Sequence, residues 1–353
     1  MYKGLIEKYR EYLPIESNEV IISLCEGQTK LIRASNLEIM LPGLEIYLKF
    51  DGLNPTGSFK DRGMTMAVTK AFNSSSKAVI CASTGNTSAS MAAYAAKAGM
   101  KSFMLIPDGK IAMGKLAQAV AYGAEIVPIS GNFDEALEMV QAFSKEHPVT
   151  MVNSINPFRI EGQKTAAFEV CDDLLDAPDY LMIPVGNAGN ITAYWKGFKE
   201  YYSLNKTTQC PSLFGFQAEG SAPLVNGMKI DHPETIATAI RIGNPASWTA
   251  AETALTESKG KIQAISDALI LKYQRLLAST EGIFAEPASC ISVAGLFHAY
   301  ENKQLLPNSR VVCVLTGNGL KDTDIILSKD FVLPTVKTSF SEVKAQLLGG
   351  IMR

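Results

Sequence analysis

The stretch that decides the fold runs from Lys77 to Pro107, "KAVICASTGNTSASMAAYAAKAGMKSFMLIP". It opens on a nearly continuous apolar run, "KAVICAS", which ends in a turn of small and hydroxyl residues. An Ala-rich segment, "SASMAAYAAKAGM", follows, and "KSFMLIP" is apolar again. Short apolar runs bounded by turn residues suit strands buried on both faces, and the Ala-rich segment between them reads as a helix. Strands joined through a helix lie parallel, with a right-handed crossover.

The same alternation extends in both directions. "LEIYLKF" (44–50) reads as a strand, "GKLAQAVAYGA" as a helix, "EIVPIS" as a strand and "FDEALEMVQAFSKEH" as a helix. Beyond "VTMVNS" come another helix, then "YLMIPVG", the helical "ITAYWKGFKEYYSLN" and the late strand "VVCVL". The pattern predicts an α/β protein of two domains, each with a mostly parallel sheet flanked by helices. No low-complexity linker marks the boundary, which is expected near residue 150. The expectation is a smaller α/β domain at 52–149 and a larger one made of 1–51 plus 150–353. Residues 210–260, with "APLVNGMKIDHPETIATAIRIGNP", read as ordered loop and short helix rather than as a βα repeat, and there is no internal repeat.

The bulk composition narrows the function classes. The 353 residues are too many for one compact core and enough for two domains. Hydrophobic residues make up 47% and charged residues 19%, and the formal net charge of −2 provides no footprint for nucleic acid or an anionic membrane. Six cysteines (25, 81, 171, 210, 290, 313) form no CxxC pair and lie far in sequence from the three histidines, so neither a metal site nor a disulfide framework is expected. Buried free thiols are expected instead, as in a reducing cytoplasm. The amino-terminal "MYKGLIEKYREYLP" lacks the apolar core of a signal peptide, and no apolar run approaches membrane-spanning length.

Three loops follow directly on predicted strands: "STGNTSAS" (83–90), "GNAGN" (186–190) and "TGNGLKD" (316–322). Ligands of open parallel sheets bind outside the carboxyl ends of strands, so the three are candidates for one shared site. "GNAGN" leads into a helix, where successive backbone N–H groups can hold a phosphate without basic side chains. No GK[ST] follows it and the GxGxxG spacing fails, so a cofactor-sized phosphate fits better than NAD or ATP. "STGNTSAS" offers the hydroxyls of Ser83, Thr84, Thr87, Ser88 and Ser90 plus the Asn86 amide. One hydroxyl is expected to cap the helix, and the remaining donors suit a substrate carboxylate.

The stretch "NPTGSFKDRGM" (54–64) raises the question of Lys60. The ordinary reading of a lysine is a solvated charge. Gly57, Ser58 and Phe59, however, make a desolvated setting that lowers an amine's pKa and favours attack on a carbonyl. Asp61 has an ordinary place near a positive helix end. A phosphate cradle together with a reactive amine makes pyridoxal phosphate the economical cofactor.

Taken together, "NPTGSFKDRG", "STGNTSAS", "GNAGN" and "LTGNGLKD" resemble the fold-type II pyridoxal-phosphate enzymes, and within them the short-form threonine synthase family. The resemblance spans residues from about 20 to 325 in the family's order. It implies pyridoxal 5′-phosphate as cofactor, held between the two domains, with Lys60 as its covalent anchor and the catalytic amine. Asn86 would bond the ring's 3′-oxygen. Gly186, Asn187, Ala188, Gly189 and Asn190 would bind the phosphate, and Thr316 would face the ring nitrogen. A hydroxyl partner cannot hold that nitrogen strongly protonated, which disfavours full transamination.

The implied substrate is O-phospho-L-homoserine, converted with water to L-threonine and phosphate. Its carboxylate would sit among Ser83, Thr84, Asn86 and Thr87. Its phosphate would meet Ser154 and Arg159 of "NSINPFRIEG", with Lys60, Thr87 and Asn187 nearby. The ordinary alternative for Arg159 is a surface arginine at a helix start. The resemblance further implies a homodimer whose smaller domain, 52–149, is mobile and closes over the substrate, and the short tail "SEVKAQLLGG" gives no support for a regulatory domain. Lys30, in "EGQTKL", stands where the family commonly has proline, a change in a turn. The rival on the same fold is a serine/threonine dehydratase, which typically carries an all-glycine phosphate loop and cysteine or serine at position 316. A non-catalytic carrier of the cofactor would need no hydroxyl loop and no Arg159.

Overall fold

The structure, a computed structural model, describes residues 1–108, 113–131, 133–326 and 335–351. The chain divides into a large unit, Met1–Asp322, and a short one, Thr323–Arg353, which contains the helix Phe340–Ile351. Ten strands lie among the described residues of the large unit: β1 Leu31–Arg33, β2 Leu44–Phe50, β3 Ala78–Ala82, β4 Lys101–Pro107, β5 Glu125–Ile129, β6 Val149–Met151, β7 Tyr180–Pro184, β8 Ser212–Ala218, β9 Lys261–Ile265 and β10 Ser309–Leu315. They form a six-stranded sheet, ordered β1-β2-β10-β7-β8-β9, and a four-stranded sheet, ordered β5-β4-β3-β6. Every strand-to-strand pairing among the described residues is parallel except β1 with β2.

The apolar runs explain the sheets. In β10 Val311, Cys313 and Leu315 pack into one core cluster, while Val312 and Val314 pack into another. Alternate side chains of a strand point to opposite faces, so a strand covered by helices on both faces must be apolar throughout. β3, "AVICA", is likewise buried at every residue. Each branched side chain hidden in this way contributes about 1.5–3 kcal/mol relative to exposure.

The loop reading of residues 210–260 is corrected at its amino end, and a further strand follows directly after it. "SLFGFQA" is β8, an interior strand of the large sheet, and "KIQAI" is β9, with helix Trp248–Glu257 before it. Gly215 lies at the centre of β8, and a Cβ there would come within 2.8 Å of Ile262 Cδ1. A glycine that reads locally as a strand breaker is therefore a point of close packing. Between these elements, residues 222–245 hold only the short helix Pro223–Asn226 and the 3-10 turn Thr238–Ile240, as read.

The helix Lys60–Asn73 is buried from Asp61 through Thr69. Its first turn is fixed by a buried ion network. Arg62 Nη2 lies 2.8 Å from Asp51 Oδ1 and 2.6 Å from Glu169 Oε2, and Lys49 Nζ lies 2.9 Å from the same Glu169 oxygen. The network joins the end of β2, this helix and the helix Pro157–Leu174 two residues from Lys60.

Candidate active site

The carboxyl ends of β3, β6, β7 and β10, with the segment after β2, converge on one cleft. Its lining includes Lys60, Asn86, Ser154, Arg159, Gly186, Asn187, Ala188, Gly189, Asn190 and Thr316. Ten of the predicted site residues are thus brought together. Ser83, Thr84 and Thr87 lie half-buried on the loop beside Asn86, outside that lining. A separate surface hollow between Glu19, Lys70, Asn73 and Phe158 contains none of them, and its Glu19 and Lys70 pair with each other at 2.9 Å.

Lys60 opens its helix and is held from both sides of its loop. The Phe59 N–H donates to Thr316 O at 2.9 Å, and the Asn318 N–H donates to Gly57 O at 2.9 Å. The Lys60 segment is therefore strapped to the loop after β10. Asp61 does more than sit at a positive helix end. It is fully buried and accepts from the Thr56 N–H at 2.7 Å, Thr56 Oγ1 at 2.5 Å and Ser90 Oγ at 2.6 Å, tying the lysine loop to the helix Asn86–Ala98. Lys60 Nζ lies 4.2 Å from the centre of the Phe59 ring. Burial first and the Arg159 charge second, opposed by Glu286, push the amine down to about 7. Near neutrality much of this amine is unprotonated, as a nucleophile or proton acceptor requires.

The helix Asn86–Ala98 begins without a hydroxyl cap, contrary to expectation. Gly85 holds the N-cap position with no side-chain cap. Ser83 Oγ accepts from the Gly85 N–H at 3.2 Å, and Ser88 Oγ donates back to Gly85 O at 2.8 Å. The hydroxyls thus shape the turn and leave the first helical amides to other partners.

Arg159 is no surface arginine: it is 1% exposed. Asn156 caps its helix by accepting from the Phe158 N–H at 3.0 Å, and Arg159 Nη1 donates to Val152 O at 3.2 Å. Its Nε is buried and has no hydrogen-bond partner. Burial lowers the guanidinium only to about 10, so it remains cationic at neutral pH. An incompletely satisfied buried guanidinium on a cleft wall calls for an anion.

The loop after β7 fits the same need. Ala188 takes the left-handed conformation, φ 63°, at the N-cap of helix Gly189–Ser203, a strained state for a residue with a Cβ. The first-turn amides of that helix have no acceptor within it, and Asn190 Nδ2 is buried without a partner. Asn187 is anchored through Oδ1, which accepts from the Ala246 N–H at 3.3 Å, so its nitrogen remains a donor. These donors, the amine of Lys60 and the Thr316 hydroxyl fit a phosphorylated aldehyde cofactor. Thr316 Oγ1 lies 3.1 Å from Ser289 Oγ, which also accepts from the Gly317 N–H at 2.8 Å.

Two polar residues of the lining escaped the motif reading: Gln163 and Glu286. Gln163 lies one turn beyond Arg159 on the same helix face. Glu286 carried a signal, since it is the only Asp, Glu, Lys or Arg between Gly282 and Tyr300.

Comparison with known proteins shows the family. The family described as pyridoxal-phosphate dependent enzyme matches residues 22–317, and the chain belongs to it. Its cofactor is accordingly pyridoxal phosphate. Within that class, the chain is 57% identical over 353 residues to the threonine synthase of Bacillus sp. (strain ULM1), covering 100% of both chains. It is 51% identical over 326 residues to the threonine synthase of Methanocaldococcus jannaschii, covering 90% of this chain and 80% of that one. It thus falls in the threonine synthase family. Among solved structures, maize serine racemase superposes with a TM-score of 0.71 at 18% identity, covering 100% of each chain, a likeness of fold alone.

Proposed function

We propose that this site converts O-phospho-L-homoserine and water to L-threonine and phosphate, with Lys60 as cofactor anchor and principal acid–base group. The observation that carries the reading is Arg159. A buried, cationic guanidinium with an unpartnered Nε in the lysine's own cleft suits a phosphorylated substrate and penalises one with a neutral hydroxyl. A dehydratase acting on serine or threonine has no phosphate to offset that charge, and a mere carrier of the cofactor has no use for it.

Lys60, Asn86, the 186–190 loop and Thr316 would hold the cofactor. Bound pyridoxal phosphate supplies an aldehyde that captures amines and a ring that accepts electrons released from a carbon beside the amino group. The protein's own groups then have distinct tasks. The N–H and hydroxyl donors of Ser83, Thr84, Asn86 and Thr87 seat the substrate carboxylate. Lys60 Nζ, poised near pH 7, takes the proton from Cα and then from Cβ. Arg159, Ser154, Thr87 and Asn187 receive the phosphate as its bond to Cγ breaks. A proton is then returned to Cγ, water adds its hydroxyl at Cβ with the released phosphate held by Arg159 orienting that water, and the second proton is returned to Cα.

The segment 52–149 is proposed to close over the substrate as a mobile domain, in a cytoplasmic homodimer. No helix among the described residues is long and apolar enough to cross a membrane. The deciding assay sets phosphate release from O-phospho-L-homoserine beside ammonia release from serine. Rapid phosphate release with threonine as co-product is the expected result. Efficient ammonia release from serine without threonine formation would replace the reading with a dehydratase.

A further inference from the structure

Glu286 reaches the site from an element that no motif marks. It precedes Pro287, the first residue of the helix Pro287–Glu301, and holds the N-cap position without a side-chain cap. Its carboxylate turns instead toward the loop after β3 and accepts from Asn86 Nδ2 at 3.2 and 3.1 Å. Its backbone N–H donates to Gly317 O at 3.1 Å. A Cβ on Gly317 would lie 2.4 Å from Glu286 Oε1, so only glycine beside Thr316 leaves room for the carboxylate. One side chain thus braces two loops of the cleft, from Asn86 on one side and Thr316–Gly317 on the other.

We propose that Glu286 is a positioning residue for the reaction: its carboxylate orients the Asn86 amide and supplies the negative charge that faces Lys60. The proposal rests on the reading of Lys60 and Asn86 given above. An asparagine amide nitrogen has two hydrogens. With one directed at Glu286, the orientation of the amide is set and the other is available to an oxygen of the cofactor. The charge has a separate effect. Lys60 is faced by Arg159 from the helix Pro157–Leu174, by the Phe59 ring and by Glu286. Glu286 is faced by Lys60, Asn86 and, one turn along its own helix, the buried thiol of Cys290, whose pKa rises through burial and this carboxylate. Without Glu286 the cleft would present Lys60 with only burial and a like charge, and the amine would hold a taken proton poorly.

The test uses the full chain stripped of cofactor. Uptake of pyridoxal phosphate is followed against pH, trapped with borohydride and located by peptide mass, and turnover is measured on the reloaded enzyme. Glu286→Gln keeps an acceptor for Asn86 but removes the charge, so the midpoint of uptake at Lys60 falls by about one pH unit. Glu286→Asp keeps the charge but withdraws the acceptor by one methylene. The midpoint then stays while kcat falls about tenfold or more at little change in KM. An unmoved midpoint in Glu286→Gln, or wild-type kcat in Glu286→Asp, overturns the proposal. If the Gln variant does not fold, the Asp variant decides alone. Covalent uptake that persists in Lys60→Ala, or maps to another lysine, defeats the reading of the site itself and is distinguishable from either result.

Discussion

At the scale of single residues, the site depends on two buried cations of different kinds. Lys60 is displaced toward neutrality by burial and by Arg159, whereas Arg159 keeps its charge. Because the folded pKa of Lys60 lies near 7, the unprotonated amine grows as pH rises through that value. Cofactor uptake by the stripped protein should therefore rise with a midpoint near pH 7 and level off about one pH unit above it, in a stopped-flow absorbance series. Lys60→Ala should lose both the covalent linkage and turnover, as read by visible absorbance and intact mass. Arg159→Lys keeps a charge but loses the planar fork, so kcat/KM for the phosphorylated substrate should fall by at least about tenfold. Lys60 was singled out in sequence by Gly57, Ser58 and Phe59 before it and by the motifs shared with the family. Glu286 was not, because its partner Asn86 lies 200 residues away.

At the scale of elements, the two helices that carry these cations cross in close contact. A Cβ on Gly162 would lie 1.9 Å from Arg62 O, a backbone atom that cannot step aside. Gly162→Ala must separate the helices Lys60–Asn73 and Pro157–Leu174, at a cost of about 1–3 kcal/mol. Urea unfolding should show that loss, with a fall in kcat because Lys60 and Arg159 move apart. The alternation that predicted β2, β3, β4 and β10 succeeded because an apolar run buried on both faces is a local signal. β8 and β9 were missed for the converse reason. Gly215 interrupts the one, and the exposed and half-buried side chains of "KIQAI" weaken the other. Only their pairing with neighbouring strands makes them strands.

At the scale of the whole molecule, Glu169, Arg62, Lys49 and Asp51 form a charged centre that joins three elements beneath the lysine loop. Glu169→Gln leaves two buried cations undercompensated and should cost about 3–5 kcal/mol, read from denaturant melts. The Arg62 and Lys49 charges outweigh burial and hold the Glu169 carboxyl well below the usual carboxylate range. Its contribution is present above the ordinary carboxyl pKa and is lost as pH falls below it, so the melting temperature should drop on acidification below about pH 4. Asp61 acts in the opposite sense: burial raises it from 3.8 to about 6, and its contribution is lost as pH rises through that value. The sequence by itself determined the alternating architecture and singled out the 186–190 loop and Lys60 as candidates for the phosphate cradle and the cofactor anchor, because each signal lies in residues adjacent in the chain. Tertiary structure alone decided which loop residues line the cleft, how Arg62 and Glu169 secure the lysine's helix, and that Glu286 meets Asn86. Those contacts join residues on separate elements, and burial there sets which charges are paired and which remain available for chemistry.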